Sequence, residues 1–339
     1  MCIISSDMNK FILVVVLFLG AVLVILSFGE LGTILATLQN GNLWYLLLTL
    51  ILQLVWFLVV GRMYRSIYRL LGMDDSTLNL SLIAVAATFV NIVMPTASMG
   101  GIALFAAEAK HHGQPSGKAT VAAALYLLLD QAAFLVVLAL GLIVLVRRDN
   151  VTAGELTASL ILLIIASIFA FMLYLGYRSA NSLGNALAKI SRLVNRATRF
   201  VLRRNYLSEE RAHEFAQEIA EGFSGLTERP SSLVRPILWG LLGKGLLMGV
   251  LLATFLSFKV PFSAGTIVGG FAIGYLFLLV SPTPSGIGVV EGVMPLALSS
   301  LSVVWSQAVV ITLAYRAITF WFPLGIGALA FRRLRLDPG

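Results

Sequence analysis

Residues 262–300 read FSAGTIVGGFAIGYLFLLVSPTPSGIGVVEGVMPLALSS. Glu291 is the one charge in that stretch, and SPTPSGIG breaks it in the middle. Both sides are apolar all round, with no alternation of polar and apolar positions, so they are helices and not barrel strands. Each half has about 13–20 residues, the length of a half-helix that dips into a membrane and returns. The whole chain agrees with a membrane solvent: 59% of its 339 residues are hydrophobic, 12% are charged and the mean hydropathy is +0.94. Soluble domains carry about 25% charged residues. Where water cannot satisfy the backbone, such runs must form internally hydrogen-bonded helices.

A second stretch, residues 79–110, is broken in the same way at MPTASMGG. Aligning the breaks sets Pro95, Thr96, Ser98 and Gly101 against Pro282, Thr283, Ser285 and Gly288, so both read P-T-x-S-x-x-G. Each leads to a long span with one charge near its middle, Asp130 at 35 residues after Pro95 and Arg316 at 34 after Pro282. Six further segments have spanning length: 11–28, 43–60, 119–146, 155–177, 235–257 and 303–330. The expected fold is therefore all-α and polytopic, with about six full spans and two re-entrant helical hairpins arranged as an inverted repeat. Residues 1–177 hold the first repeat (hairpin 79–110, span 119–146) and 235–339 the second (hairpin 262–300, span 303–330).

Charge sets the orientation. With the N-terminus cytoplasmic, 19 of the 24 Lys and Arg fall on the cytoplasmic side. Arg147, Arg148 and Lys259 fall outside, and Lys244 and Arg316 lie within the membrane. That split follows the positive-inside rule and places both termini in the cytoplasm of a multi-pass protein of the inner, plasma membrane. The net charge of +8 then reflects basic loops facing anionic lipid, with no nucleic-acid partner. Residues 178–234 form a cytoplasmic insert. Lys189, Arg192, Arg196, Arg199 and Arg203 make one face of an amphipathic interfacial helix, either a solvated anchor or a face that binds anionic lipid or docks a cytoplasmic partner.

A proline-glycine break frees backbone N–H groups at the start of the following half-helix, and with the helix dipole these favour an anion such as phosphate. Around Ser98 and Ser285 they form a candidate binding site for a lipid headgroup, with Gly101, Gly286 and Gly288 allowing close backbone approach. The same residues also serve plain helix packing. Asp130, Lys244, Glu291 and Arg316 lie in apolar stretches, where an unpaired charge costs about 2.5–3.5 kcal/mol. Arg316 needs a carboxylate or a lipid phosphate beside it, Asp130 being its repeat counterpart and Glu291 its neighbour in the second hairpin. Glu108 is expected to reach toward an interface, whereas Lys244 is open between an interface and a charge pair within the membrane. Nothing points to a catalytic constellation, a metal or a cofactor: His111 and His112 adjoin each other, His213 stands apart, and Cys2 is the one cysteine.

The stretches PTPSGIGVVEGVMPLAL (282–298) and ITLAYRAITFWFPLGIGAL (311–329) resemble the signature of the lysylphosphatidylglycerol synthase transmembrane, flippase-like domain family. Pro284, Gly286, Gly288, Glu291, Tyr315, Arg316 and Pro323 occupy its positions. In the N-terminal half Pro95, Gly101 and Asp130 match, while Ile102, Phe105 and Leu127 replace polar positions of the pattern. The chain stops soon after its last span, so the resemblance implies lipid translocation without aminoacyl transfer.

The expected function is movement of an anionic or zwitterionic phospholipid headgroup between leaflets. The alternatives are a secondary transporter for a small amphiphile or ion, and a non-transporting membrane partner of a cytoplasmic enzyme. In a chain with Cys2→Ser, single cysteines near 150 and 259 should react with an impermeant reagent on intact cells, and those near 115 and 205 should be protected. Labelling at 115 from outside would make the first hairpin a full span.

Overall fold

The computed structural model describes residues 41–93, 99–147, 233–281 and 283–336, with single helical positions at 39, 160, 164, 167 and 171. The expected spans 11–28 and 155–177 lie outside the described residues, apart from those single positions, as do all but the last two residues of the 178–234 insert and the site residues Pro95, Thr96, Ser98 and Pro282. Every described element is helical. In order they are α1 (Leu43–Leu70), α2 (Thr77–Val93), α3 (Met99–His111), α4 (Ser116–Val146), α5 (Val234–Ser257), α6 (Ala264–Val280), α7 (Val289–Ser300), α8 (Trp305–Arg316) and α9 (Phe322–Leu336). A five-residue π-helical turn, Ala317–Trp321, joins α8 to α9 into one long rod. Among the described residues four helices are long and apolar enough to cross a membrane: α1, α4, α5 and the rod Trp305–Leu334.

Both broken stretches are antiparallel helical hairpins. In the second, a Cβ at Gly270 would meet Leu298 at 2.5 Å and one at Gly274 would meet Met294 at 3.1 Å. Moving up α6 therefore moves down α7, and Thr266 near the start of α6 bonds the carbonyl of Leu301 just past α7. In the first, Asn91 bonds Gly101 across the break, and Gln114 beyond α3 donates to the carbonyl of Asp74 before α2. The 17-residue arms α2 and α6 reach about 25 Å at 1.5 Å per residue, short of the roughly 30 Å hydrocarbon core.

The hairpins open at opposite ends of the bundle. Helices α1 and α5 run antiparallel, with Asn42 N–H on the Ser257 carbonyl at 2.9 Å, Gly243 by Trp56 and Gly240 by Met63. The second hairpin begins just after α5, at the end where α1 starts. The first begins where α1 stops, and there Lys118 at the head of α4 approaches Gly72. The Pro284–Gly286 turn at the tip of the second hairpin packs on α2.

The long helix after each hairpin crosses to the other hairpin. On α4, Gly141 lies against Ala272 of α6; on α9, Gly327 lies against Val85 and Phe89 of α2. Gly141 is 11 residues past Asp130 and Gly327 is 11 past Arg316, so the two contacts occupy matching places. Small residues allow such approach where helices associate by packing, as they do in lipid. An added Cβ at Gly141 would sit 2.3 Å from the Ala272 Cβ, whereas one at Gly245 meets nothing within 4 Å. Gly141→Ala should therefore destabilise the protein by about 1–3 kcal/mol, as overpacking does. Gly245→Ala should leave the melting temperature unchanged or higher.

Candidate functional site

Arg316 is the last residue of α8 and the widened π turn follows it directly. Such turns are frequent at functional sites. Its guanidinium is almost wholly buried and donates through Nε to Glu291 Oε1 at 2.5 Å and through Nη2 to the Ser285 carbonyl at 3.1 Å. It also lies 4.5 Å from the centre of the Phe320 ring, a cation–π contact. Glu291 uses its second oxygen to accept from Gly288 N–H at 2.8 Å, capping α7 where the helix dipole favours a negative charge.

The local sequence shapes this loop. Helix α6 ends at Val280, Thr283 accepts nothing from α7 but donates to the Ile287 carbonyl at 2.8 Å, and Pro284 opens a 3-10 turn. Ser285, Gly286 and Gly288 all have left-handed φ, at 49°, 71° and 77°, which glycine tolerates and serine adopts at a cost. The expected site at Ser285 changes in character. Gly286 and Ile287 N–H bond Thr283 and Pro284 carbonyls, and Gly288 N–H bonds Glu291, so these donors are engaged within the loop. The groups that converge here are Arg316, Glu291 and a backbone carbonyl.

A second charge centre lies on α4 and α5. Lys244 is 1% exposed and donates to both oxygens of Asp130, at 2.7 and 2.8 Å, and to Tyr275 Oη at 2.6 Å. Of the two places open to Lys244, the structure shows the one within the bundle: Asp130 of α4 and Tyr275 of α6 hold it there, and a buried ammonium needs a carboxylate beside it. Of the two carboxylates open to Arg316, Glu291 is its partner, and Asp130 pairs with Lys244. Glu108 is half-buried and pairs with His112 at 3.9 Å.

Between the last turns of α2 and the Ser285 turn lies a cavity of about 150 Å³ lined by Arg316, Ser285, Tyr275, Gln53 and Thr88 among others. The Gln53 amide oxygen is buried without a hydrogen-bond partner, a state that costs about 1–3 kcal/mol unless a polar guest relieves it. A neighbouring cavity of about 130 Å³ shares Trp56 and Thr88 with it and is lined by Asn91, Gly101, Tyr64 and Tyr126. Sequence reasoning missed Gln53, Asn91 and Tyr275. Gln53 and Asn91 were visible as lone amides in apolar runs, but nothing in the sequence set Tyr275 apart from other membrane tyrosines.

Compared with known families, residues 11–327 match the model of the lysylphosphatidylglycerol synthase TM region. The chain belongs to that family. The lysylphosphatidylglycerol synthase TM family places it among membrane proteins of the lipid-modification and flippase type, and the matched part is the family's transmembrane, non-catalytic region. A search of curated proteins finds no match. The resemblance read from Pro284, Gly286, Gly288, Glu291, Tyr315, Arg316 and Pro323 is thus shown for the family, and those residues surround or adjoin the Arg316 loop.

Removing one member of a buried ion pair costs about 3–5 kcal/mol, while replacing both by apolar residues is often neutral. Arg316→Leu should therefore destabilise the protein, and Glu291→Leu in the same chain should restore much of the loss. Lys244→Leu should be rescued by Asp130→Leu. Thermal unfolding of the singles and doubles checks the pairing, and rescue of Arg316→Leu by Asp130→Leu would refute it.

Proposed function

We propose that this protein moves the headgroup of an anionic or zwitterionic phospholipid between leaflets, with Arg316 as the charge that meets the headgroup phosphate. The observation that carries the reading is a buried arginine, tethered by Glu291 at a helix break, that lines a cavity between the second hairpin's turn and α2. An arginine cannot shed its proton, so Glu291 can release it only as another anion takes over. A phosphate is such an anion. Gln53 and Thr88 would receive the polar remainder of the headgroup, while the acyl chains stay in lipid.

The two hairpins are re-entrant in this scheme, and residues 1–177 and 235–339 are inverted copies. The antiparallel run of α1 and α5 and the matched Gly141 and Gly327 contacts support that arrangement. The end of the bundle where α1 stops is the cytoplasmic one. Arg62, Arg65, Arg69, Lys110, Lys118 and Arg235 gather there, against Arg147 and Lys259 at the other end. The candidate substrate residues Pro95, Thr96, Ser98, Gly101, Asp130, Pro282, Thr283, Ser285, Gly286, Gly288, Glu291 and Arg316 then divide by role. Arg316, Glu291 and Ser285 form the charge centre, and Gly101 lines the path on the other hairpin, while Pro95, Thr96, Ser98 and Pro282 lie outside the described residues. Asp130, with Lys244, holds α4 to α5.

A second reading is favoured by the size of the cavity, which suits a small phosphate-bearing solute as well as a headgroup. Reconstituted vesicles separate the two. The protein should speed exchange of fluorescent phospholipid between leaflets without admitting soluble phosphate. Arg316→Gln, if it melts near the parent temperature, should lose the exchange. Full exchange by a folded Arg316→Gln protein removes this residue from the mechanism, and phosphate uptake without lipid exchange selects the second reading.

A further inference from the structure

Where α1 stops and α5 begins, the two helices bound an open groove of about 820 Å³ that shares no residue with the Arg316 cavity. Four guanidinium groups border it: Arg62, Arg65 and Arg69 on one face of α1, and Arg235 on the first turn of α5. Like charges on free helix ends would spread into water, yet these converge from two helices. Among the described residues Asp74 is the acidic neighbour they pair with, 3.6 Å from both Arg65 and Arg69, and it is itself largely exposed. Arg65 Nε is buried and faces Asp74 Oδ1 at 3.6 Å, beyond hydrogen-bond length, so that donor is only loosely engaged.

The rest of the groove has a different chemistry. Trp239 stacks under Arg62, whose guanidinium lies 5.8 Å from the ring centre. Leu238 and Leu242, one turn apart on α5, are 58% and 46% exposed and continue the groove along the helix away from Arg235. Guanidinium groups at one end, an indole in the middle and an aliphatic strip beyond repeat the order of phosphate, glycerol and acyl chain in one phospholipid. Arg is the residue suited to bidentate phosphate binding, and Trp favours the headgroup level.

We infer that this groove is a seat for an anionic phospholipid of the adjoining leaflet, separate from the translocation cavity. The phosphate bridges the arginines of α1 to Arg235 of α5, so the lipid ties together the two helices on which the bundle is built. A free phosphate would use the arginines alone, whereas the lipid also covers Leu238 and Leu242. The inference does not depend on whether Arg316 moves lipid.

The test uses the purified full chain in a mild detergent, with phosphatidylglycerol, phosphatidylcholine or soluble glycerol phosphate added. Phosphatidylglycerol should raise the melting temperature at concentrations where the other two have no effect. Arg62→Gln/Arg69→Gln/Arg235→Gln should weaken that binding by about tenfold or more, the loss expected for charge-assisted bonds to phosphate. Arg332→Gln/Arg333→Gln, which removes charge from the same end but not from the groove, should keep it. Equal loss in both variants would mean diffuse attraction, and an equal effect of glycerol phosphate would mean a site without lipid; either overturns the inference. Should the triple variant fail to fold, a photoactivatable phosphatidylglycerol on the unaltered protein decides. Crosslinks should fall within 62–70 and 235–242, and their absence from both segments overturns the inference.

Discussion

Arg316 is a charge that cannot be neutralised by losing its proton, placed almost wholly inside an apolar bundle. Much of the second half of the protein is arranged around that fact. Its Nε–H fixes Glu291, Glu291 in turn caps α7 through Gly288, and its Nη2–H holds the Ser285 carbonyl that the broken helix would otherwise leave open. A helix break inside an apolar bundle exposes backbone groups on both sides. Here one side chain and its carboxylate partner satisfy both. The left-handed φ values at Ser285, Gly286 and Gly288 are the conformational cost of the sharp turn between α6 and α7.

The matched breaks carry unlike chemistry. At the second, an ion pair within the hairpin and its following rod closes the loop. At the first, a neutral contact from Asn91 to Gly101 N–H takes that place, and Leu104 stands where the alignment would put Glu291. Asp130, the positional counterpart of Arg316, turns instead to Lys244 on α5 and Tyr275 on α6. Tyr275 also lines the Arg316 cavity, so a single ring stands between the two charge centres. A shift of α6 would touch both at once, which gives the hairpin arms a physical means of coupling.

The energetics of the bundle rest on close approach more than on hydrophobic burial. Lipid tails solvate leucine as well as a protein interior does, so association depends on packing and polar contacts. Gly61 against Ser81, Gly141 against Ala272, Gly270 against Leu298 and Gly327 against Val85 bring backbones together at four different interfaces. Large apolar side chains such as Leu47, Ile51, Leu54 and Leu58 on α1 point away from the protein, where lipid would cover them.

The sequence by itself determined that the chain is helical and membrane-borne, because runs apolar on every side leave no other way to satisfy the backbone. It also placed both helix breaks, since proline removes a donor and clashes with the preceding turn: α2 ends at Val93 and α3 begins at Met99, and α6 ends at Val280 and α7 begins at Val289, on either side of the prolines in MPTASMGG and SPTPSGIG. It marked Glu291 and Arg316 as residues needing partners, by their cost in an apolar setting. It could not say who those partners were. Pairing is a property of helix directions and distances, and Asp130, Glu291, Lys244 and Arg316 permit more than one neutral arrangement. Only the antiparallel fold of α6 on α7 brings Glu291 to Arg316, and only the crossing of α4 and α5 brings Lys244 to Asp130. Tyr275, Gln53 and Asn91 gained their importance in the same way, because a polar tip in an apolar helix acquires meaning from what the tertiary structure sets against it.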